Sequence, residues 1–180
     1  MPHTTGSCRL KYGHPNRSEL LAFYYRDHDV VEDRLESIKV AILSDQIWSE
    51  ENRQIIDSFT QFLRHELENH LIEEEQILFP QIAEVLGQAN GPISLMNGEH
   101  QTLRSLVDEL VVEVESCKMI HQKTNRLIEL LYQVDEFLAD HMYKENCVLF
   151  PMAEQILTDF QKAQVLHALQ ARRETAKVSK

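Results

Sequence analysis

Two segments of this 180-residue chain carry a histidine and a glutamate at a spacing that suits metal binding. His70 precedes Glu74 by four residues, and His141 precedes Glu145 by the same interval. Residues i and i+4 lie about one turn apart on the same face of a helix. Each pair can therefore present an imidazole nitrogen and a carboxylate oxygen to one point, and both are donors for divalent or trivalent cations.

Each pair belongs to a longer motif that occurs twice. Both copies read His-x3-Glu-x3-Leu-Phe-Pro, and the second follows the first by 71 residues. Two further histidines, His28 and His100, lie 72 residues apart, and each is followed by apolar residues at +3, +7, +10 and +14. The chain therefore reads as a duplicated helical hairpin, with histidine on one helix of each copy and His-x3-Glu on the other.

These histidines replace core residues in otherwise apolar stripes. A seven-residue step leads from His70 to Ile77, and the same step leads from His141 to Val148. Burying two glutamates at this level without compensation would be very costly, and a pair of cations removes that cost. The predicted metal ligands are His28, His70, Glu74, His100, His141 and Glu145.

Histidines in apolar stripes also occur in proteins that bind no metal. One such histidine is usually a hydrogen-bonded core residue, but four at matching positions are hard to obtain by chance. A metal-free network of Glu–His ion pairs is the remaining alternative. Ferritin-like bundles use Glu-x-x-His, and no glutamate lies three residues before a histidine here. His65 and His70 are five residues apart, so they cannot share one metal as the HExxH pair does, and His65 is expected to be solvated.

Helical periodicity dominates the elements that must position these residues. Only five glycines and five prolines occur, too few for the frequent turns of a sandwich or barrel. We predict an all-α fold, an up-down-up-down four-helix bundle with a short additional C-terminal helix. Residues 1–14 are expected to be a flexible N-terminal segment, 15–172 one domain and 173–180 a flexible tail. The predicted helices cover about residues 15–43, 49–87 and 92–120, a fourth starts near 124, and a fifth covers 158–172.

Composition limits the class of function. The net charge is −11, which argues against a nucleic-acid or anionic-membrane binder, and no apolar run approaches the ~18 residues of a membrane span. The three cysteines form no CxxC motif and the N-terminus has no apolar export signal, so we expect reduced thiols in a cytoplasmic protein. No phosphate loop or nucleophile motif occurs. No catalytic or organic-cofactor residue is therefore assigned, and whether the protein is an enzyme stays open.

The combined motifs resemble those of the hemerythrin-like, HHE cation-binding family. The matching segments are RDHD around His28, HLIEEEQILFP from His70, GEH ending at His100 and HMYKENCVLFP from His141, within roughly residues 20–155. The resemblance implies a four-helix bundle that holds two non-haem iron ions, with terminal histidines and two bridging carboxylates. Manganese or zinc would also suit these donors. The family includes oxygen carriers, oxygen or redox sensors, and proteins that repair iron–sulfur centres.

One position departs from the oxygen carriers, which have a second histidine four residues after the third-helix ligand. Arg104 stands there, which leaves a ligand set of four histidines and two glutamates. This set is more similar to that of the repair proteins, although the extra N-terminal domain usual in those proteins is not expected here. Glu32 either pairs with Arg104 beside the site or is itself a ligand. Glu66, four residues before His70, is either a ligand or a group that contacts one. Tyr24 either lines the pocket or is a core tyrosine.

The resemblance implies a di-iron protein that binds or senses O2, NO or peroxide in oxidative or nitrosative stress. One alternative is an iron donor in the repair of damaged iron–sulfur centres. Another is a small di-iron enzyme that reduces peroxide or NO, or acts as a ferroxidase. The expected partners are a diatomic ligand or peroxide, and a protein partner or a second copy of the chain is compatible. Neither nucleic acid nor membrane is an expected partner.

Overall fold

The computed structural model describes residues 18–44, 48–87 and 91–178. The helices are α1 (Glu19–Leu43), α2 (residues 50–86), α3 (Pro92–Ile120), α4 (residues 125–156) and α5 (Asp159–Val178). Helices α1 to α4 each pack against the next, α4 packs against α1, and α5 lies outside this ring against α1 and α2. The predicted all-α four-helix bundle with an additional C-terminal helix is confirmed.

Side-chain caps begin several helices. The hydroxyls of Ser18 and Ser49 each accept a hydrogen bond from a backbone N–H three residues on, at the starts of α1 and α2. Before α5, Thr158 accepts from the backbone N–H of Gln161, whose side-chain oxygen accepts from the backbone N–H of Thr158. This exchange is a capping box, and it satisfies backbone donors that the first helical turn leaves free.

Helices α2 and α4 change pitch at the predicted metal ligands. Within α2, π-helical segments occur at Leu63–Leu67 and Glu74–Leu78, and within α4 one occurs at Glu145–Leu149. The segments that start at the two glutamates are equivalent in the repeat, and a proline that lacks a backbone donor follows each. Short π segments are frequent at functional sites because they rotate the side chains that follow.

This change of pitch corrects the predicted apolar stripe. Leu78 and Leu149, eight residues after the histidines, are buried, whereas Val148 is 57% exposed and Ile77 only partly buried. A π turn holds about one residue more than an α turn, so the buried position moves from i+7 to i+8. The seven-residue stripe is therefore wrong beyond His70 and His141.

Two apolar clusters fill the bundle, and one polar layer separates them. Along α1, Tyr24 belongs to one cluster and Val31 to the other, with His28 between them. In the other three bundle helices the predicted ligands likewise lie between the two clusters, and the antiparallel helices α2 and α4 pass through them in the reverse order. We call the six predicted ligands in this position the polar layer. Apolar packing on both sides excludes bulk water from it.

The C-terminal helix is longer than predicted. It continues to Val178 instead of ending near Arg172, which corrects the expectation of a flexible tail for residues 173–178. Buried Val165 and Leu169 hold α5 against the cluster that contains Tyr24. The predicted segment 1–14, the loop residues 88–90 and residues 179–180 lie outside the described residues.

Two further expectations concern the cysteines and membranes. Among the described cysteines, Cys117 is buried with a free thiol and Cys147 is partly buried, whereas Cys8 lies outside the described residues. No described helix combines the length and the apolar character that a bilayer span requires.

Candidate metal centre

All six predicted ligands converge in the polar layer, and each is at most 5% exposed. They form two groups that share both glutamates. Within each group, one ligand atom from each residue lies within 4.8 Å of all the others. We define the His28–His70 position as His28, His70, Glu74 and Glu145, and the His100–His141 position as His100, His141, Glu74 and Glu145.

Each glutamate directs one carboxylate oxygen to each position. For Glu74, Oε1 is 3.3 Å from His70 Nε2 and Oε2 is 3.4 Å from His100 Nε2. For Glu145, Oε2 is 3.3 Å from His28 Nε2 and Oε1 is 3.4 Å from His141 Nε2. Both carboxylates can therefore bridge two cations, which is the role that the family resemblance implies.

Six of the inward-facing atoms lack the hydrogen bonds that buried polar atoms normally make. All four carboxylate oxygens of Glu74 and Glu145 and Nε2 of both His100 and His141 have no hydrogen-bond partner. Such atoms are rare in folded proteins and costly when left unsatisfied. Two imidazole nitrogens and two carboxylate oxygens at each position fit iron, manganese or zinc, and a cation would satisfy all of these atoms.

Each histidine is held in orientation through its other ring nitrogen, Nδ1. The acceptors are Asn146 Oδ1 for His28 (2.8 Å), Asp27 Oδ2 for His70 (3.1 Å), Glu75 Oε1 for His100 (2.8 Å) and Glu99 Oε2 for His141 (3.0 Å). A carboxylate or amide oxygen can only accept, so Nδ1 carries the proton. Nε2 then directs its lone pair into the polar layer, as metal binding requires.

Sequence reasoning missed these four acceptors, although the repeat contained a signal for them. Asp27 and Glu99 each directly precede a predicted histidine ligand, and Glu75 and Asn146 each directly follow a predicted glutamate ligand. Each acceptor supports a histidine on a neighbouring helix, which the periodicity of its own helix cannot indicate. A comparison of the residues beside the ligands in the two halves could have found all four.

Charge and burial oppose each other in the polar layer. Burial raises the pKa of Glu74, but His70 and His100 outweigh it and hold this pKa far below its usual value. Burial lowers the pKa of His70, but Glu74 and Asp27 outweigh it and raise this pKa well above its usual value. The pKa of His100 is raised in the same way, burial being outweighed by Glu74 and Glu75. Cations must therefore displace protons from these imidazoles.

Arg104 lies beside the centre but does not pair with Glu32. Its guanidinium contacts Glu68 at 2.9 Å and Glu75 at 2.7 Å, and Glu75 in turn accepts from His100 Nδ1. Glu32 is exposed and belongs to neither ligand group among the described residues. Both predicted roles of Glu32 are therefore corrected, because its side chain lies on the outer face of α1.

Glu66 and Tyr24 occupy different surroundings. Glu66 is exposed, belongs to neither ligand group, and lines a cavity at the surface, so its predicted role as a ligand is corrected. Tyr24 is fully buried, and its ring centroid lies 5.8 Å from that of His70. Burial, together with the charge of Glu74, raises the pKa of Tyr24 well above its usual value, so the phenol stays neutral. Tyr24 is thus a core tyrosine that also contacts a predicted ligand.

This chain belongs to the hemerythrin HHE cation-binding domain family, whose model matches residues 19–153. It is similar to the iron-sulfur cluster repair protein YtfE of Escherichia coli K12 / DH10B, with 35% identity over 106 residues, 54% of this chain and 46% of the relative. It is also similar to YtfE of Salmonella paratyphi B, with 38% identity over 99 residues, 51% of this chain and 43% of the relative. The alignments thus span less than half of either relative. No solved structure matches the chain significantly.

Proposed function

We propose that this protein holds two non-haem iron ions and donates iron for the repair of damaged iron–sulfur centres under oxidative or nitrosative stress. The observation that carries the proposal is the ligand geometry, in which two glutamates each direct one oxygen to each histidine pair. Similarity to iron-sulfur cluster repair proteins favours iron donation over the O2-, NO- or peroxide-binding role that the motifs first indicated.

The chain's own residues suit a centre that can lose iron. His28 and His70 would hold one iron, His100 and His141 the other, and Glu74 and Glu145 would bridge them. Bound iron would supply a redox-active cation with open coordination positions. The raised pKa values of His70 and His100 mean that these imidazoles take up protons as a cation leaves. The positive charge of the protonated imidazoles then offsets the repulsion between the two buried carboxylates.

A second candidate is reversible binding of O2, NO or peroxide, with or without turnover. The observation that favours it is the donor count, because each position offers two imidazoles and two carboxylate oxygens. Octahedral iron would keep coordination positions open for a small ligand. Arg104 stands where an oxygen carrier has a further histidine, so the donor set differs from that of the carriers in this respect.

Iron transfer to an apo iron–sulfur protein tests the proposal directly. Protein purified without oxygen is expected to contain about two irons per chain and, with inorganic sulfide added to the assay, to restore cluster absorbance in the acceptor. The variant His70→Ala should lose transfer, whereas His65→Ala, at an exposed position outside the polar layer, should retain it. Two bound irons with no transfer, but with a reversible spectral change on addition of O2 or NO, would favour the second candidate instead.

The free, buried thiol of Cys117 supports a cytoplasmic location. The partner that the proposed function requires is a protein whose iron–sulfur centre has lost iron. These two assignments are part of the proposal, and iron transfer in extracts of the reduced cytoplasm would test both.

A further inference from the structure

In each half of the centre, a basic side chain pairs with the carboxylate that accepts from a histidine ligand. The two basic side chains come from different parts of the fold. In the second half, Glu99 accepts from His141 Nδ1 and also from the ammonium of Lys144. Lys144 lies on α4, three residues after His141. The histidine and the cation that secures its acceptor therefore belong to one helix.

The first half lacks a lysine at the equivalent position. Asp27 accepts from His70 Nδ1, as Glu99 does from His141. Three residues after His70 comes Glu73, a carboxylate that is 2% exposed. The first half thus has two carboxylates, Asp27 and Glu73, where the second half has the carboxylate of Glu99 and the ammonium of Lys144.

Arg173 of α5 supplies the missing positive charge. Its Nη1 lies 3.1 Å from Asp27 Oδ1, and its Nε lies 3.0 Å from each oxygen of Glu73. The guanidinium carbon lies 4.0 Å from the ring centroid of Phe23, which fixes the plane of the fork. Arg172 approaches only Glu73, at 4.0 Å. Without Arg173, two largely buried carboxylates would face each other with little compensation, an arrangement that is strongly unfavourable.

Helix α5 also forms one wall of a cavity that reaches the same half of the centre. The cavity has a volume of about 790 Å³ and lies between α1, α2 and α5. His70 is the one predicted ligand among its lining residues, and Asp27, Arg172 and Arg173 line it as well. The His28–His70 position is therefore separated from this space by the imidazole that Asp27 holds.

The geometry points to Arg173 as a positioning residue for the His28–His70 position, with α5 as the cover over the route by which iron leaves it. The inference rests on the proposed binding of two irons. When α5 leaves the bundle, Asp27 loses its cation, His70 loses its fixed orientation and the cavity loses a wall. The His100–His141 position keeps Lys144, which lies within α4. The iron at the His28–His70 position therefore leaves first.

Release of iron to a ferrous chelator tests this order. Protein loaded without oxygen with two ferrous ions is mixed with ferrozine, and the colour is followed with time. Arg173→Gln is expected to speed the release of one iron about tenfold, the scale on which partners of metal ligands act, and to leave the second unchanged. Lys144→Gln, the matched change in the other half, should also speed one iron. The variant Arg173→Gln/Lys144→Gln should then speed the release of both irons, because each substitution acts on the iron at a different position.

A second set of variants controls for loss of folding. In the Arg173→Gln background, Glu73→Gln removes the repulsion without restoring a cation, so the chain should fold but release one iron quickly. In the same background, Glu73→Lys places an ammonium where α4 has Lys144, and slow release should return. Rapid release from a folded Arg173→Gln/Glu73→Lys protein would overturn the positioning role. Simultaneous loss of both irons from Arg173→Gln would overturn it too.

The outcome also separates this inference from the proposed function. Wild-type protein that binds no iron would contradict the proposed function itself. Wild-type protein that binds two irons, together with an Arg173→Gln variant that releases them at the wild-type rate, would contradict only the role of α5.

Discussion

Glu74 and Glu145 are fully buried carboxylates whose four oxygens have no hydrogen-bond partner. In a protein selected for stability alone, such residues would be replaced, because a buried charge without partners is costly. Their presence at equivalent positions of an internal repeat makes physical sense if cations complete the polar layer.

Glu145→Gln should separate metal binding from folding. The amide keeps the size of the side chain but removes a buried charge, so the melting temperature of metal-free protein at pH 8 should not fall. The rise in melting temperature on adding ferrous or manganous ions should be lost, because one bridge between the two positions is gone. Calorimetry with and without metal measures both. Glu66→Gln, at an exposed position, should behave as wild type.

The raised pKa of His70 predicts how stability depends on pH. A histidine whose pKa is higher in the folded state adds stability below its unfolded pKa of about 6.5, and that stability is lost as pH rises through the folded-state pKa. Metal-free protein should therefore lose unfolding free energy as the pH is raised above about 6.5 and through the folded-state pKa of His70. Urea titrations at several pH values measure this loss.

The matched variants define what would contradict that prediction. His70→Gln should flatten the dependence, whereas His65→Gln, at an exposed position, should keep it. Iron-loaded protein should show the opposite trend and lose iron as the pH falls, because protons compete for the same imidazoles. Equal slopes for wild type and His70→Gln would show that His70 does not titrate as described.

At the scale of elements, α5 is the helix whose role extends beyond the family pattern. It lies outside the matched residues 19–153, yet Arg173 contacts Asp27, which in turn holds His70. Two buried residues, Val165 and Leu169, supply its apolar contact with the bundle. The helix is thus attached by a small apolar face, the ionic cluster of Arg173 and the ion pair of Lys162 with Glu154 on α4. So few contacts suit an element that detaches before the bundle unfolds.

Leu169→Ala should loosen α5 without touching the ionic cluster. Truncating a fully buried leucine costs about 2–5 kcal/mol, and the loss should appear first as increased hydrogen exchange of α5. One of the two irons should also reach a chelator faster, as in Arg173→Gln. Phe160→Ala is the control, because Phe160 lies on the same helix but is 71% exposed. Unchanged exchange in α5 with normal iron release would contradict this attachment.

At the scale of the whole molecule, the polar layer divides the core into two apolar clusters that all four bundle helices share. A cation bound there would connect all four helices at once. Binding to the folded state alone stabilises a protein by about 2.7 kcal/mol when free metal is a hundredfold above its dissociation constant. The centre is therefore expected to contribute to the stability of the entire bundle.

Adding ferrous or manganous ions at that excess should raise the melting temperature by about 5–10 °C, since 1 kcal/mol corresponds to roughly 2–4 °C at this size. Chelation should reverse the rise. The variant His70→Ala/His141→Ala, which removes one imidazole from each position, should show no rise. A wild-type melting temperature that does not respond to any of iron, manganese or zinc would contradict a cation site in the polar layer.

The bundle and the residues of the polar layer follow from properties that can be read along the chain. Helical periodicity and caps such as Ser49 and Thr158 are local properties of the chain, and the structure begins helices at both. The spacing of His70 and Glu74, repeated at His141 and Glu145, places each pair on one helix face whatever surrounds it. Duplication then required that the two halves meet, because each hairpin has an apolar face to bury.

The residues that hold those ligands in place depend on how the helices pack together. Arg104 pairs with Glu75 on α2 instead of Glu32 on α1, and Arg173 reaches Asp27 across 146 residues of chain. The local pattern could not indicate these pairs, because they depend on how each helix is rotated against its neighbours. The π segments contribute to that rotation, since one additional residue per turn moves every later side chain.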